Sequence, residues 1–572
     1  MFVALAGSAL VHGQPNPSKE TAKALYAQGM TALRQHDLES ARSAFEKLVR
    51  VAPSSPEAHN SLGWVFLNQG NVGPAVAQFR TAIKLKPAFP QAHLNLANAL
   101  SERREFSEAE TEAHEAIRLA PRDSETHRTL GRVLSFRGKL KDAIEEMRAA
   151  VALEPQRPDL HDDLGSLLEQ AGSSDDAVEQ FSTSLRIDPN FAPALLHLGI
   201  VRWQQKQLPE SHDLLSRSVH ANPQNAQAHY YFARVLQDEK QTSMAMQELR
   251  QAVALQPDFA DAELSLGLLL QHNGDPEGAL TAFRKLVELR PQDPDAHNNL
   301  GLALIQSGNA GDAIAEFQYA MRLRPKDPSY IENLGTAYLQ KADFDSAVAQ
   351  FQSALTIAPQ DSTAHYDLGL ALKLKDRLAD AVAEFRKAAE LSPDQPDVHY
   401  SLGITLWQMG QFAEAEAELR AATKVKADYA EAYYTLGTVF RQDNKLEEAA
   451  AALRQAIALD PNLVGAHTTL AAVLRQQGNS AAADAESQKA QQLFKQSNRM
   501  QAATFATNSG SKLLRAGDVD GAISQFRSAI TVMPEYAPAH KLLAEALDRK
   551  GQKAEAQEEF RKAEELARSS GT

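Results

Sequence analysis

Twelve prolines fall on one period. Pro53, Pro87, Pro121, Pro155, Pro189, Pro223, Pro257, Pro291, Pro325, Pro359, Pro393 and Pro461 stand 34 residues, or twice that, apart. Ala427 holds the one place in the series that lacks a proline. A spacing kept for more than 400 residues without insertion or deletion describes a stack of one short supersecondary unit, because independent globular domains share no common phase. Each unit then packs only on its neighbours, and function is to be sought on a repeated surface.

With the proline at position 32 of each repeat, repeat 1 begins at Ala22, and fourteen contiguous repeats run to Ser497. Position 7 is leucine in nearly all of them, from Leu62 to Leu470. Position 8 is glycine, as in Gly63, Gly165, Gly301 and Gly437, or else alanine, as in Ala97, Ala233 and Ala471. A glycine inside a helix costs about 1 kcal/mol relative to alanine. Its recurrence therefore predicts another backbone passing too close to admit a Cβ, and alanine at position 20 is the expected partner. Positions 20, 24 and 27, exemplified by Ala313, Phe317 and Ala320, share one face of a second helix. Position 15 is often glycine, or a residue such as Asp376 or Asn444 that tolerates positive φ, and ends the first helix. Proline at 32 cannot continue the second helix, since it lacks an N–H and restrains the residue before it.

Leu-Gly at 7 and 8, Ala at 20, Phe or Leu at 24, Ala at 27 and Pro at 32 resemble the tetratricopeptide repeat. The likeness covers residues 22–497, skips an interruption or hinge at 498–502, and resumes for two further repeats over 503–570, giving about sixteen. Repeat 15 carries Gly510, Ala522, Phe526 and Pro534; repeat 16 carries Ala544, Ala556 and Phe560. The resemblance implies an all-α, right-handed superhelical solenoid, with helix A of each hairpin lining a concave groove and helix B forming the back. Its length and regularity are similar to the repeat scaffold of the protein N-acetylglucosaminyl transferases, without their catalytic domain. Repeat 14 is degraded, with Ser487 at position 24 and Ala471 at position 8. The Ala-, Gln- and Lys-rich sequence after it predicts a helix B that overruns its usual end and a bend near Asn498, or a lengthened helix that only offsets the last two repeats.

Bulk properties narrow the function. The net charge of −14 and the absence of a basic stripe argue against nucleic acid. A chain with no cysteine has neither thiolate nucleophiles nor Cys-based metal sites. No stretch approaches the 18 apolar residues a spanning helix needs. Residues 1–21 read as a truncated signal peptide, so exported or periplasmic is the location adopted, with cytoplasmic as the alternative. Ten of the 17 histidines occupy position 4, among them His59, His297 and His540. Such positions lie about a helix diameter apart, too far to share one ion, so these residues are expected to be neutral rings packed at the seams. No phosphate loop, zinc-binding helix or nucleophile elbow occurs, and neither catalytic residues nor a cofactor or metal is predicted.

In the family, positions 2, 5, 6, 9, 12 and 13 face the groove. Here position 5 supplies Tyr366, Tyr400 and Tyr434, position 12 Trp407, position 6 Asn299 and Asn333, and position 13 Gln306, Gln340, Gln408 and Gln442. Amides donate and accept, which suits the backbone of an extended peptide, and aromatic residues anchor interfaces. The family's carboxylate clamp is not matched, since the basic residues at position 5 are Arg128 and Lys541, without the companions the clamp needs. The sequence therefore predicts a non-enzymatic scaffold that binds protein or peptide partners, with self-association through the uncapped C-terminal face. The alternative is a substrate-recruiting subunit of a glycosyltransferase or of a polysaccharide-export or secretion assembly.

Overall fold

Leucine, alanine and phenylalanine recurring on helical spacings, punctuated by proline and by glycine at position 15, leave little choice but consecutive helical hairpins. The computed structural model describes residues 17–569. Most of the segment read as a leader, residues 1–16, lies outside the described residues. Every regular element among those described is an α-helix, 31 in number, and successive helices pair as the antiparallel arms of an all-α solenoid. Sixteen hairpins minus one fusion give that number, because helix B of repeat 14 and helix A of repeat 15 form one helix, Ser480–Arg515. It runs unbroken through 498–502. The chain divides into two compact halves, one ending at Arg290 and one beginning at Pro291.

Both halves use the same local chemistry. Helix A commonly begins with a side chain from position 34 capping its first turn: Ser55 accepts from the Ala58 N–H, and Asp293 from the Asp295 N–H. Proline then follows at the first helical position, where its missing N–H costs nothing. Position 15 is left-handed in all sixteen repeats, with glycine in nine and His36, Arg104, Lys206, Lys240, Ala342, Asp376 and Asn444 in the others. At Gly308 the reversal lets the Asn309 N–H reach the Leu304 carbonyl at 2.8 Å, closing helix A.

The close approach at position 8 has a different partner from the one expected. A Cβ built on Gly301 would lie 2.5 Å from Cε1 of Phe317, and one on Gly63 would lie 2.7 Å from Cε1 of Phe79. The glycine makes room for the position-24 side chain of its own hairpin, chiefly a phenylalanine ring, and only secondarily for the position-20 backbone. In repeats 3, 7 and 14, where position 8 is alanine, position 24 is smaller or more pliable: Ala97 pairs with Ala113, Ala233 with Leu249, and Ala471 with Ser487. Repeat 16 keeps Phe560 with Ala544, and that ring is 37% exposed instead of buried. In the N-terminal half Phe45, Phe79 and Phe181 are fully buried, and in the C-terminal half Phe317, Phe351, Phe385 and Phe526 are.

The position-4 histidines strap the seams. Each of the ten places Nε2 on the carbonyl of the preceding repeat's position-32 proline and Nδ1 on a Gln or Glu at position 23 of its own repeat. For His399 the partners are Glu418, at 2.7 Å, and the Pro393 carbonyl, at 3.0 Å. A neutral imidazole carries one N–H and the imidazolium two, so His93, His229 and His399, each held between a carboxylate and a carbonyl, are double donors. Those three depart from the neutral packing ring expected. The Glu418 carboxylate and the Pro393 carbonyl raise His399 above the usual imidazole value against the cost of burial, and Glu248 does the same for His229. His93 is raised too, where burial opposes and Glu112 prevails.

Candidate functional site

Positions 5 and 6 on one side of helix A, and 12 and 13 two turns on, recur at one place in every hairpin, so neighbouring repeats present them to each other about 35 residues apart. The structure pairs them as rungs. Between positions 5 and 6, Asn298 accepts from Asn333 at 2.8 Å, and the Tyr366 hydroxyl lies 3.2 Å from the Ser401 hydroxyl. Tyr400 meets Thr435 in the same way. In the N-terminal half the equivalents are Asn60 with Asn95, Arg128 with Asp163 and Asp162 with His197. Between positions 12 and 13, Trp407 donates to Gln442 at 2.6 Å, and Gln340 donates to the Ile305 carbonyl at 3.0 Å. Trp203 with Asp238 and Ser135 with Gln170 repeat this rung in the N-terminal half.

The ten residues picked from the sequence all lie in the C-terminal half, on the helices Pro294–Gln306, Pro328–Gln340, Ser362–Leu374, Pro396–Gln408 and Ala430–Gln442. Tyr366, Tyr400, Tyr434, Trp407, Asn299 and Asn333 are half-buried, while Gln306, Gln340, Gln408 and Gln442 are exposed. The tyrosines stand against neighbours rather than free in solvent. Tyr400 lies 5.0 Å from the Tyr429 ring, Tyr366 lies 5.7 Å from Phe385, and the Tyr434 ring covers Gly465 of the next repeat. Polar ends that were expected to await a partner are in several cases already bonded along the array.

One rung differs from the others. Glu332 at position 5 and Asp367 at position 6 put two carboxylates where the bonded rungs named above have an amide pair, a hydroxyl pair or a salt bridge. Among the described residues neither has an ion-pair partner. Burial, with Asp361, Asp367 and Asp327 nearby, pushes the Glu332 carboxyl up to about 7. Burial and Asp361 push Asp367 up to about 6. Lys373, farther along the Asp367 helix, is half-buried, and burial lowers its ammonium. The contrast with Arg128 is direct: that guanidinium sits 2.6 Å from Asp163 and 2.8 Å from Asp159, so both of those carboxylates already have a cation. Glu332 was missed in the sequence. Its signal was an acid at position 5 followed 35 residues later by an acid at position 6.

Among the described residues no three His, Asp or Glu side chains converge as metal ligands, and no helix is long and apolar enough to cross a membrane. No curated protein matches this sequence significantly. Among solved structures, a chain from the APC/C hetero-tetramer Cut9–Hcn1 is 16% identical, with 92% of this chain and 96% of that one covered and a TM-score of 0.37. Yeast Tom70 is 17% identical over 80% of this chain and 97% of its own, with a TM-score of 0.36. Pseudomonas aeruginosa pilF is 22% identical over 35% and 92%, with a TM-score of 0.33. Tetratricopeptide repeat models match residues 26–93, 67–124, 128–192, 233–294, 264–328, 333–396, 400–464 and 513–570. Hairpins, left-handed turns and family matches agree over most of the sequence, and the chain belongs to the tetratricopeptide repeat family.

Proposed function

We propose that this protein is a non-enzymatic scaffold whose helix-A face in repeats 9 to 13 holds an extended polypeptide, and that the segment it takes there carries a lysine or arginine. The observation that carries this reading is the Glu332–Asp367 rung. Two carboxylates with raised proton affinity and no cation of their own are stabilised by an incoming ammonium or guanidinium. Around that rung, Tyr366, Tyr400, Tyr434 and Trp407 offer half-buried aromatic area, and the exposed Gln306 and Gln408 remain able to pair with a peptide backbone.

The test is fluorescence anisotropy with a labelled, unstructured peptide bearing spaced lysines and arginines, against the same peptide with glutamates in their place. The basic peptide is expected to bind. Glu332→Gln with Asp367→Asn, or alanine at one or more of the four aromatic positions, weakens it by about fivefold or more. Binding also weakens as pH falls through about 7 and then about 6, since Glu332 and Asp367 lose their charge there. Equal affinity for the acidic peptide, or silence of all these substitutions, removes the proposal.

A further inference from the structure

The long helix Ser480–Arg515 leaves one seam of the solenoid unmade. At the other seams within each half of the chain, position 3 of helix A is buried against the repeat before it. Ala364, Val398, Ala432, Ala466 and Ala539 are all 5% exposed or less, and so are their counterparts back to Ala58. In repeat 15 that position is Phe505, and it is 78% exposed. The seam it belongs to is defined by its neighbour: Ala539 of repeat 16 packs with Ala529 and Met533 of repeat 15, which are positions 27 and 31. The same positions of repeat 14 are Ala490 and Phe494, and Phe494 is 57% exposed. Because Phe494 and Phe505 ride on one continuous helix, about 16 Å apart along its axis, they cannot meet within the chain while that helix is intact. All nine residues from Phe494 to Ala502 are exposed. The family matches also stop at 464 and resume at 513.

We infer that a second copy of this chain fills the seam by reciprocal exchange, with the two Ser480–Arg515 helices crossing antiparallel. Eleven residues are close to three full turns, so Phe494 and Phe505 lie on the same stripe, with Asn498 and Gln501 between them. Antiparallel pairing about the midpoint between Arg499 and Met500 sets Phe494 of each copy opposite Phe505 of the other. Position 3 thereby returns to positions 27 and 31, the partners it has in the seam between repeats 15 and 16. The patch is self-complementary, as a two-fold interface requires, and it continues an interface the molecule already uses along its length. Lys495 and Arg499 point off the stripe, and the Arg499 guanidinium is held by the Val532 carbonyl at 3.0 Å. From Ser487 to Gly517 the chain has five cations and no acid, so the paired helices repel electrostatically and added salt strengthens the pair.

Light scattering on the full chain after size exclusion should give about twice the 62.4 kDa chain mass. Phe505→Glu, at an exposed site that the monomer fold does not use, should keep its helical circular dichroism and bind its copy about 30-fold more weakly or worse. The native chain lacks cysteine, so single thiols report geometry without background. A mixture of Phe494→Cys and Phe505→Cys chains should oxidise to mixed disulfide dimers. A single-chain mass at all concentrations overturns the inference, and so does an intramolecular disulfide in the Phe494→Cys/Phe505→Cys chain. The latter would show that the helix breaks and closes its own seam.

Discussion

Gly301→Ala is the most direct probe of how each hairpin is closed. The added Cβ would stand 2.5 Å from Cε1, 2.7 Å from Cζ and 2.8 Å from Cδ1 of Phe317, and the ring is fully buried and has nowhere to retreat. Overpacking of this kind costs about 1–3 kcal/mol, and a contact almost 1 Å too short belongs at the upper end. Alanine returns about 1 kcal/mol of helix propensity over glycine, so the expected net loss is about 1–2 kcal/mol. The chain itself supplies the compensating change, since Ala233 already lives beside Leu249 with both fully buried. Phe317→Leu should cost about 1 kcal/mol alone and should remove most of the alanine penalty in the double variant. Urea melts of the four proteins followed by circular dichroism give the cycle, and amide exchange across residues 294–323 locates the effect, which the nearest-neighbour behaviour of a solenoid makes local. Additivity within about 0.5 kcal/mol, or a Gly301→Ala chain as stable as its parent, would refute the close-approach argument.

Three further outcomes are expected. Ala342 holds φ 60° at the end of its helix, so Ala342→Gly should stabilise its repeat by about 0.5–1 kcal/mol, and Gly308→Ala should destabilise its repeat by about 1 kcal/mol, both read from urea midpoints. His399 is raised by Glu418 and Pro393, so its strap contributes fully below the imidazole's unfolded value and is lost as pH rises through the folded one. Glu418→Gln should therefore cost about 1 kcal/mol at pH 5.5 and much less at pH 8.5, and an equal loss at both would show that the ring is not a double donor.

Periodic features were legible in the sequence because each has a local cause. Proline ends helix B, position 15 reverses the chain, and Leu, Ala and Phe on helical spacing define the buried faces. What escaped were relations between side chains of different elements. The partner of Gly301 is a ring sixteen residues on, and it was misassigned to a backbone because composition shows only that space is short. The histidines at position 4 were visible as a series, but their second acceptor is a main-chain carbonyl, which has no sequence signature. The tyrosines and glutamines were assigned to a helix-A face from their repeat positions alone, while the bonds of Tyr366 to Ser401 and Trp407 to Gln442 depend on the offset between stacked hairpins. The helix through 498–502 was foreshadowed by its composition. That it strands Phe505 in solvent could be read only from coordinates.

The rungs across positions 5–6 and 12–13 bear on kinetics. Side chains already locked to one another across adjacent helices have surrendered their rotameric freedom before any visitor arrives, so most of the ordering cost falls on the visitor. Capture along this wall should then be quick and nearly indifferent to residue order, with selectivity concentrated at the single step where Glu332 and Asp367 lack a counter-ion.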